Sequence, residues 1–337
     1  MSQALISSIT HNDNNLDLAF MSKFDLIETL DLSGPRLILE FNDRFSLIRN
    51  RLGVKPGDLL NVSFSIDDDW FLPGISNSMW FKILTMPVFP GDILRINCFQ
   101  ADIAILKEPV TETRVFNDVS PETVLHELFP SATNFNIDPF PIHSFQIMPG
   151  ERPSLMLRQM TRELGAAIWY QRGIVCCRDL LTIADSTKNE PNHIFAWQNA
   201  GAGENQIAHY ETPRSENLIS DIMVRNSVGW SMTGGFMAST LSDTPPEFTS
   251  VNRQDILDNL SKVLVPSVDF TSAGNVEITA GLMLNVQWNL DQTDSPLDES
   301  LPEDVLVGTV AHYYGSNKYW IRVKGVDLAP PHGPLGM

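Results

Sequence analysis

Polar and apolar residues alternate with a period of two in three separated stretches of the chain. Leu60-Asn61-Val62-Ser63-Phe64-Ser65-Ile66 and Leu284-Asn285-Val286-Gln287-Trp288-Asn289-Leu290 alternate without a fault, and Tyr319-Trp320-Ile321-Arg322-Val323-Lys324 comes close. Successive side chains of a strand point to opposite faces of a sheet, so the pattern predicts half-buried antiparallel strands. Turn signals introduce them. Pro56-Gly57-Asp58 precedes Leu59-Leu60-Asn61-Val62, and Pro90-Gly91-Asp92 precedes Ile93-Leu94-Arg95-Ile96. Gly281-Leu282-Met283-Leu284-Asn285-Val286 repeats the order without the Pro-Gly-Asp. Pro presets φ and Gly supplies positive φ, so the repetition reads as shared turn-then-strand grammar or, more sharply, as a duplicated β unit near 35–110 and 215–328.

Between these stretches the period changes. Ser120-Pro121 followed by Val124, Leu125, Leu128 and Phe129, with Pro130 as a stop, predicts a short capped helix. Pro153 opens a second helix with Leu157, Met160 and Leu164 on one face, Arg158, Arg162 and Glu163 on the other, and Gly165 where a left-handed cap belongs. It runs into Ala166-Ala167-Ile168-Trp169-Tyr170, a Gln171-Arg172-Gly173 turn and a second strand ending at Arg178, which predicts a hairpin. Residues 253–264, with Asn252 as N-cap and Pro266 beyond, predict a third helix inside the second β unit. The expected organisation is an amino-terminal arm (1–34), a first β-barrel (35–112), a helix-and-hairpin connector (113–190), a second β-barrel (191–328) and a tail (329–337). The expected fold class is mainly β with an α+β insert.

Composition narrows the function classes. The 337 residues carry 23 Lys and Arg against 41 Asp and Glu, a net charge of -18, with 43% hydrophobic residues, enough for a large core and unlike a disordered chain. The longest weakly polar run, 227–241, is broken by Gly229, Gly234 and Gly235, so no membrane insertion is expected, and the amino terminus lacks the basic and apolar segments of a secretion signal. Lys and Arg form no cluster along the sequence beyond Arg49, Arg51 and Lys55, which argues against tight binding to nucleic acid. The three cysteines, Cys98, Cys176 and Cys177, have neither disulfide nor metal spacing, and the adjacent pair in a strand must face opposite ways.

Catalytic spacings are near misses. His126-Glu127 begins a zinc-protease motif, but Pro130 stands where the second His belongs. Gly201-Ala202-Gly203 opens like a dinucleotide loop, with Gln206 in place of the third Gly. Asp67-Asp68-Asp69 lacks the spacing of a calcium loop and reads as a solvated turn. The expectation is no catalytic residue, no metal, no cofactor and no enzyme activity.

The order of motifs resembles a known family. Phe145-Gln146-Ile147, the Glu151-Arg152-Pro153-Ser154 helix opening, the helix to Leu164 and Gly165-Ala166-Ala167-Ile168-Trp169-Tyr170 resemble the E-S-x-x-x-F-L-x-R-L-x-x-E-x-G-x-x-x-Y segment of contractile-tail baseplate hub proteins. That family includes phage late control protein D and the amino-terminal part of type VI secretion spike proteins. The closing stretch, from Leu306 through His312-Tyr313-Tyr314 to Tyr319-Trp320-Ile321-Arg322-Val323, resembles the family's last strands, and the Gly281 turn resembles its strand opening. Two departures are the Glu-Arg-Pro-Ser opening, where the family has Glu-Ser-Asp, and the lack of an OB-fold or β-helical needle.

The resemblance implies two tail-tube-like antiparallel barrels in each chain of a homotrimeric ring, which adapts a six-fold tail tube to a three-fold spike. The implied partners are a tail-tube or tube-initiator protein, a separate spike protein and baseplate wedge proteins. DNA would pass through the lumen without specific binding, past a wall that the net charge suggests is acidic. The implied location is the virion tail baseplate, assembled in the host bacterial cytoplasm. Candidate subunit-interface residues are Trp70, Phe71, Trp80, Tyr313 and Tyr314, because obligate interfaces favour aromatics, although core packing suits them equally. Two other readings stand beside this one. One is an acidic carbohydrate-binding or adhesin module with Trp70, Trp80, Trp288 and Trp320 stacking on sugars; the other is a baseplate component with peptidoglycan hydrolase activity.

Overall fold

The computed structural model describes residues 6–64, 78–132, 134–185, 193–198, 205–212, 226–239, 246–289, 298, 301–316 and 318–329. The first unit is made of β1 (Ile6–His11), β2 (Asn14–Asn15), β3 (Met21–Thr29), β4 (Arg36–Asn42), β5 (Leu59–Phe64), β6 (Ser78–Thr85), β7 (Val88–Phe89) and β8 (Ile93–Gln100). Its strands run in the order β2-β1-β5-β6-β8-β4-β3, all antiparallel, with β7 beside β8. Residues 6–34 are therefore not an arm. Phe24, Leu26 and Glu28 alternate with Lys23, Asp25 and Ile27 along β3, which pairs with β4 and turns Phe24 and Leu26 into the core. The two Pro-Gly-Asp turns both belong to this unit. Gly57 (φ 94) and Gly91 (φ 84) take the left-handed conformation two residues before β5 and β8 begin.

The connector follows as α1 (Ala101–Leu106), β9 (Arg114–Val119), α2 (Pro121–Leu128), β10 (Asn134–Ile137), β11 (His143–Ile147), α3 (Pro153–Leu164), β12 (Ala166–Gln171), β13 (Ile174–Asp179) and α4 (Leu180–Ala184). The Ser120 hydroxyl accepts from the Thr123 amide as the N-cap of α2, and Gly165 (φ 62) closes α3, both as the sequence predicts. Positive φ at Arg172 (44) and Gly173 (96) makes the tight turn between β12 and β13, whose registers pair Ala166 with Asp179 through Gln171 with Ile174. β10 adds to β13 in parallel, and β9 pairs with β11.

The second unit contains β14 (His193–Trp197), β15 (Asn205–Glu211), β16 (Ser227–Ser231), β17 (Gly235–Ala238), β18 (Glu247–Phe248), α5 (Gln254–Leu260), β19 (Leu264–Ala273), β20 (Met283–Trp288), β21 (Asp304–Gly315) and β22 (Lys318–Leu328). The order β21-β20-β14-β15-β19-β22 closes on itself through the β21–β22 pairing, giving a six-stranded barrel. It is not wholly antiparallel, because β14 runs parallel to both β15 and β20. The third helix is also shorter than 253–264. Leu264 already pairs with Leu328 in the β19–β22 ladder, and the Ala329 amide donates to the Val263 carbonyl. β16, β17 and β18 form a separate small sheet inserted between β15 and β19.

The two units share one sheet. β3 pairs with β21 over seven register positions, from Lys23 with Gly315 to Thr29 with Thr309. Apolar contacts are continuous through this seam, so Leu39 and Phe81 of the first unit, Leu157 of the connector and Phe270 and Ile321 of the second belong to one core. A smaller cluster of Leu30, Trp169, Met283 and Leu306 lies where the connector hairpin meets the seam. Mainly β, with a helix-and-hairpin connector, is the architecture.

Candidate assembly surfaces

Beside the seam lies a buried polar group that no sequence motif announces. Arg172, at the tip of the β12–β13 hairpin, donates from Nε and Nη2 to the two carboxylate oxygens of Glu28 on β3, at 3.2 and 3.0 Å, and from Nη1 to the Val276 carbonyl at 2.6 Å. His312 of β21 lies next to them, with Nε2 3.0 Å from the Ile278 carbonyl and Nδ1 2.7 Å from the Tyr319 hydroxyl. A neutral imidazole that donates to the carbonyl and accepts from the phenol satisfies both contacts. Burial pushes the Glu28 carboxyl up, but Arg172 and His312 outweigh it and hold the acid down at about 2. Burial also lowers His312, with Glu28 opposing, and raises the Tyr319 phenol. These charges satisfy one another away from solvent. They lock one hairpin to both β units.

The opposite side of the joined sheet is open. Side chains pointing away from the core on the described strands include Lys23, Arg36, Lys82, Arg95, Lys318, Arg322 and Lys324, against the acids Asp25, Glu40, Glu211 and Asp269. Each acid is paired: Asp25 with Lys23 (2.8 Å), Glu40 with Arg95 (2.6 Å), Asp269 with Arg322 (2.7 Å) and Glu211 with the same Arg322 (3.9 Å). On a chain of charge -18, the described residues of this face carry more cations than acids, even with the exposed Asp304 of β21 counted.

Of the five aromatic candidates, the three among the described residues, Trp80, Tyr313 and Tyr314, do not form one patch. Trp70 and Phe71 lie outside the described residues. Trp80 is half exposed on the open face of β6, opposite Asn61. Tyr313 is on the open face of β21, edge-on to the exposed Trp320 at 6.2 Å, whereas Tyr314 points to the core side and stacks on Phe24 at 5.5 Å. The described members of the sugar-stacking set, Trp80, Trp288 and Trp320, are dispersed as well. Trp288 is buried and donates from its indole nitrogen to the Pro302 carbonyl at 2.7 Å. Trp80 and Trp320 are five strand spacings apart, about 24 Å along the sheet.

A different apolar surface is present. In the inserted sheet Trp230 pairs with Phe236, and Val228 pairs with both Ala238 and Phe248, which puts all five on one face. Trp230 is 52% exposed, Phe236 78% and Phe248 75%. The other face packs on α5. There a side chain at Gly229 would collide with the Val251 carbonyl, and Ser227, Ser239 and Ser261 are linked by hydrogen bonds. The period-two signal at Val228 and Trp230 was available in the sequence, but the glycines around it hide its length.

Among the described residues the cysteines do not converge. Cys177 joins the main core and Cys176 the smaller cluster, on opposite faces as their adjacency requires; burial raises both thiols to about 12. Among the described residues no three His, Cys, Asp or Glu side chains gather in a way that could hold a metal ion.

No protein-family model matches the sequence, and no curated protein matches it. Solved structures do match its fold. A tail protein from Neisseria meningitidis superposes with a TM-score of 0.67 at 10% identity, over 96% of this chain and 96% of that one. The 43 kDa tail protein of prophage MuSo2 from Shewanella oneidensis gives 0.64 at 11%, over 96% and 98%. An E. coli type VI secretion component, itself structurally similar to the bacteriophage T4 tail proteins gp27 and gp5, gives 0.55 at 10%, over 98% and 79%. The chain has the fold of these tail proteins along nearly its whole length.

Proposed function

We propose that the protein is a structural baseplate hub of a contractile phage or phage-like tail. The observation that carries this reading is the pair of β units fused edge to edge through β3 and β21, in a fold shared end to end with tail proteins. Three copies would present six β units to a six-fold tail tube and a three-fold surface to a separate spike protein. This symmetry conversion needs shape rather than a reaction. Tube-initiator and wedge proteins are the remaining partners in this reading, and the site of action is the virion baseplate, after assembly in the host cytoplasm.

The charge map changes one part of the expected picture. A channel lined by the open face of the joined sheet would be mildly basic, so an acidic, non-adhesive lumen requires a different face to turn inward. Native mass spectrometry tests the hub reading directly. A trimer, joined by the spike protein when the two are co-expressed, is the expected result. A protein that stays monomeric at every concentration and binds glycans would replace the hub with the adhesin reading; clearing of peptidoglycan in a zymogram would favour the hydrolase.

A further inference from the structure

Three cations scattered in the sequence line one cleft and three more stand beside its Leu32 end, which the absence of any Lys/Arg run in the sequence conceals. Arg36 of β4 is in register with Phe99 of β8, and the Lys107 ammonium lies 4.9 Å over the Phe99 ring while donating to the Leu32 carbonyl at 3.0 Å. Leu32 lines a cleft of about 410 Å³ between the β3–β4 turn, α3 and α5, and Arg158, Arg162 and Lys262 line the same cleft. The Val110 amide donates to the Glu151 carbonyl, which places Arg152 at the start of α3 beside the end of α1. Burial lowers the Lys107 ammonium, Asp31 opposes this, and Arg158, Arg36 and Arg152 each lower it further, as close like charges do.

This arrangement costs the isolated chain. Arg152 is the N-cap of α3 with no side-chain capping bond, so a cation stands at the positive end of the helix dipole. Arg158 and Arg162 stand four apart on α3, a like-charge pair on one helix face that destabilises the helix. Arg36, Arg152, Arg158 and Arg162 have no carboxylate within ion-pair distance among the described residues. The acids at the cleft are Asp31, whose Oδ1 already accepts from Ser33, and Glu247, while Asp179 lies 3.7 Å from Lys262.

We propose that this cleft docks an acidic, amphipathic segment of a partner protein, its carboxylates on Arg158, Arg162 and Lys262, with Arg36, Lys107 and Arg152 adding positive charge beside the cleft, and its apolar side chains on the floor made by Leu32, Ile168, Leu180 and Leu264. Charge complementarity selects an acidic occupant, and the floor selects a peptide over a nucleic acid. The floor is aliphatic, with no aromatic face on which a base could stack. The inference stands on the cleft itself and does not depend on the hub assignment.

The test uses the full chain and fluorescence anisotropy with three labelled probes: an amphipathic Glu/Leu peptide, a poly-glutamate of equal length and a single-stranded oligonucleotide. The Glu/Leu peptide is expected to bind best, more weakly at physiological than at low ionic strength, and R158E/R162E is expected to weaken it by at least about tenfold. R158Q/R162Q is expected to weaken it less, and K318E/K324E on the open face of β22 to leave it unchanged. Because Arg158 and Arg162 are exposed and repel each other, circular dichroism melting of either double variant should show no loss of stability. An oligonucleotide that binds as tightly as the peptide, peptide binding that survives R158E/R162E, or a wild-type chain that ignores the peptide would each overturn the proposal. So would self-association abolished by R158E/R162E in the absence of peptide binding, which would make the cleft a contact between copies.

Discussion

At the scale of single residues, the group around Glu28 decides how the molecule responds to acid. Its folded carboxyl titrates at about 2, below the unfolded value of 4.5. A depressed folded pKa stabilises above the unfolded value and loses that contribution as the pH falls toward the folded one. Stability is therefore expected to drop between pH 4.5 and 2, and E28Q should flatten that part of the profile in denaturant titrations. At neutral pH, E28Q is expected to cost about 3–5 kcal/mol by leaving Arg172 buried without its counter-charge, while E28L/R172M costs less. A single variant as stable as the wild type would mean that water reaches Arg172. None of this was readable in advance. Glu28, Arg172 and His312 are separated by 144 and 140 residues along the chain, and nothing local marks any of them, just as nothing local joins Arg36 to Arg152 and Arg158.

At the scale of elements, legibility follows the range of the interaction. The β12–β13 hairpin, the capped ends of α2 and α3 and the alternating strands depend on neighbours a few residues away, so their signals stand in the sequence. The third helix was overextended because Val263 and Leu264 continue its apolar spacing, although Leu264 is held by Leu328 across a sheet. β14 lies parallel to two strands whose positions the local pattern does not encode. The inserted β16–β18 sheet is the element with the clearest unmet demand. Covering Trp230, Phe236 and Phe248 would yield roughly 1.5–3 kcal/mol for each side chain. W230S/F236S is therefore expected to leave the melting temperature of the isolated chain nearly unchanged, because both side chains already face solvent, and to shift assembly to at least about tenfold higher concentration. Sedimentation velocity across a dilution series measures this; unchanged association would remove this face from the interface.

At the scale of the whole molecule, the question is whether two β units joined by one seam behave as one body. An adaptor that imitates six-fold symmetry with three chains requires a fixed angle between the units, since any play at the seam would spoil the match to a tube. Three features set that angle: the seven-position β3–β21 ladder, the core continuous across it, and Arg172, which ties the connector hairpin to Glu28 on one side of the seam and to Val276 on the other. The chain should accordingly unfold in a single transition despite its length. I27P tests the seam. Ile27 pairs with Arg36 on one side and Ala311 on the other, so proline there removes a ladder hydrogen bond in an interior strand and strains its neighbours, at a cost of about 3 kcal/mol or more. The expected result is a transition that splits in two by calorimetry, with the closed barrel of the second unit melting last because β21 keeps its pairing with β22. A wild-type chain that already unfolds in two steps would show that the seam is a hinge, and a hinged pair of units could not hold the geometry a six-fold tube demands.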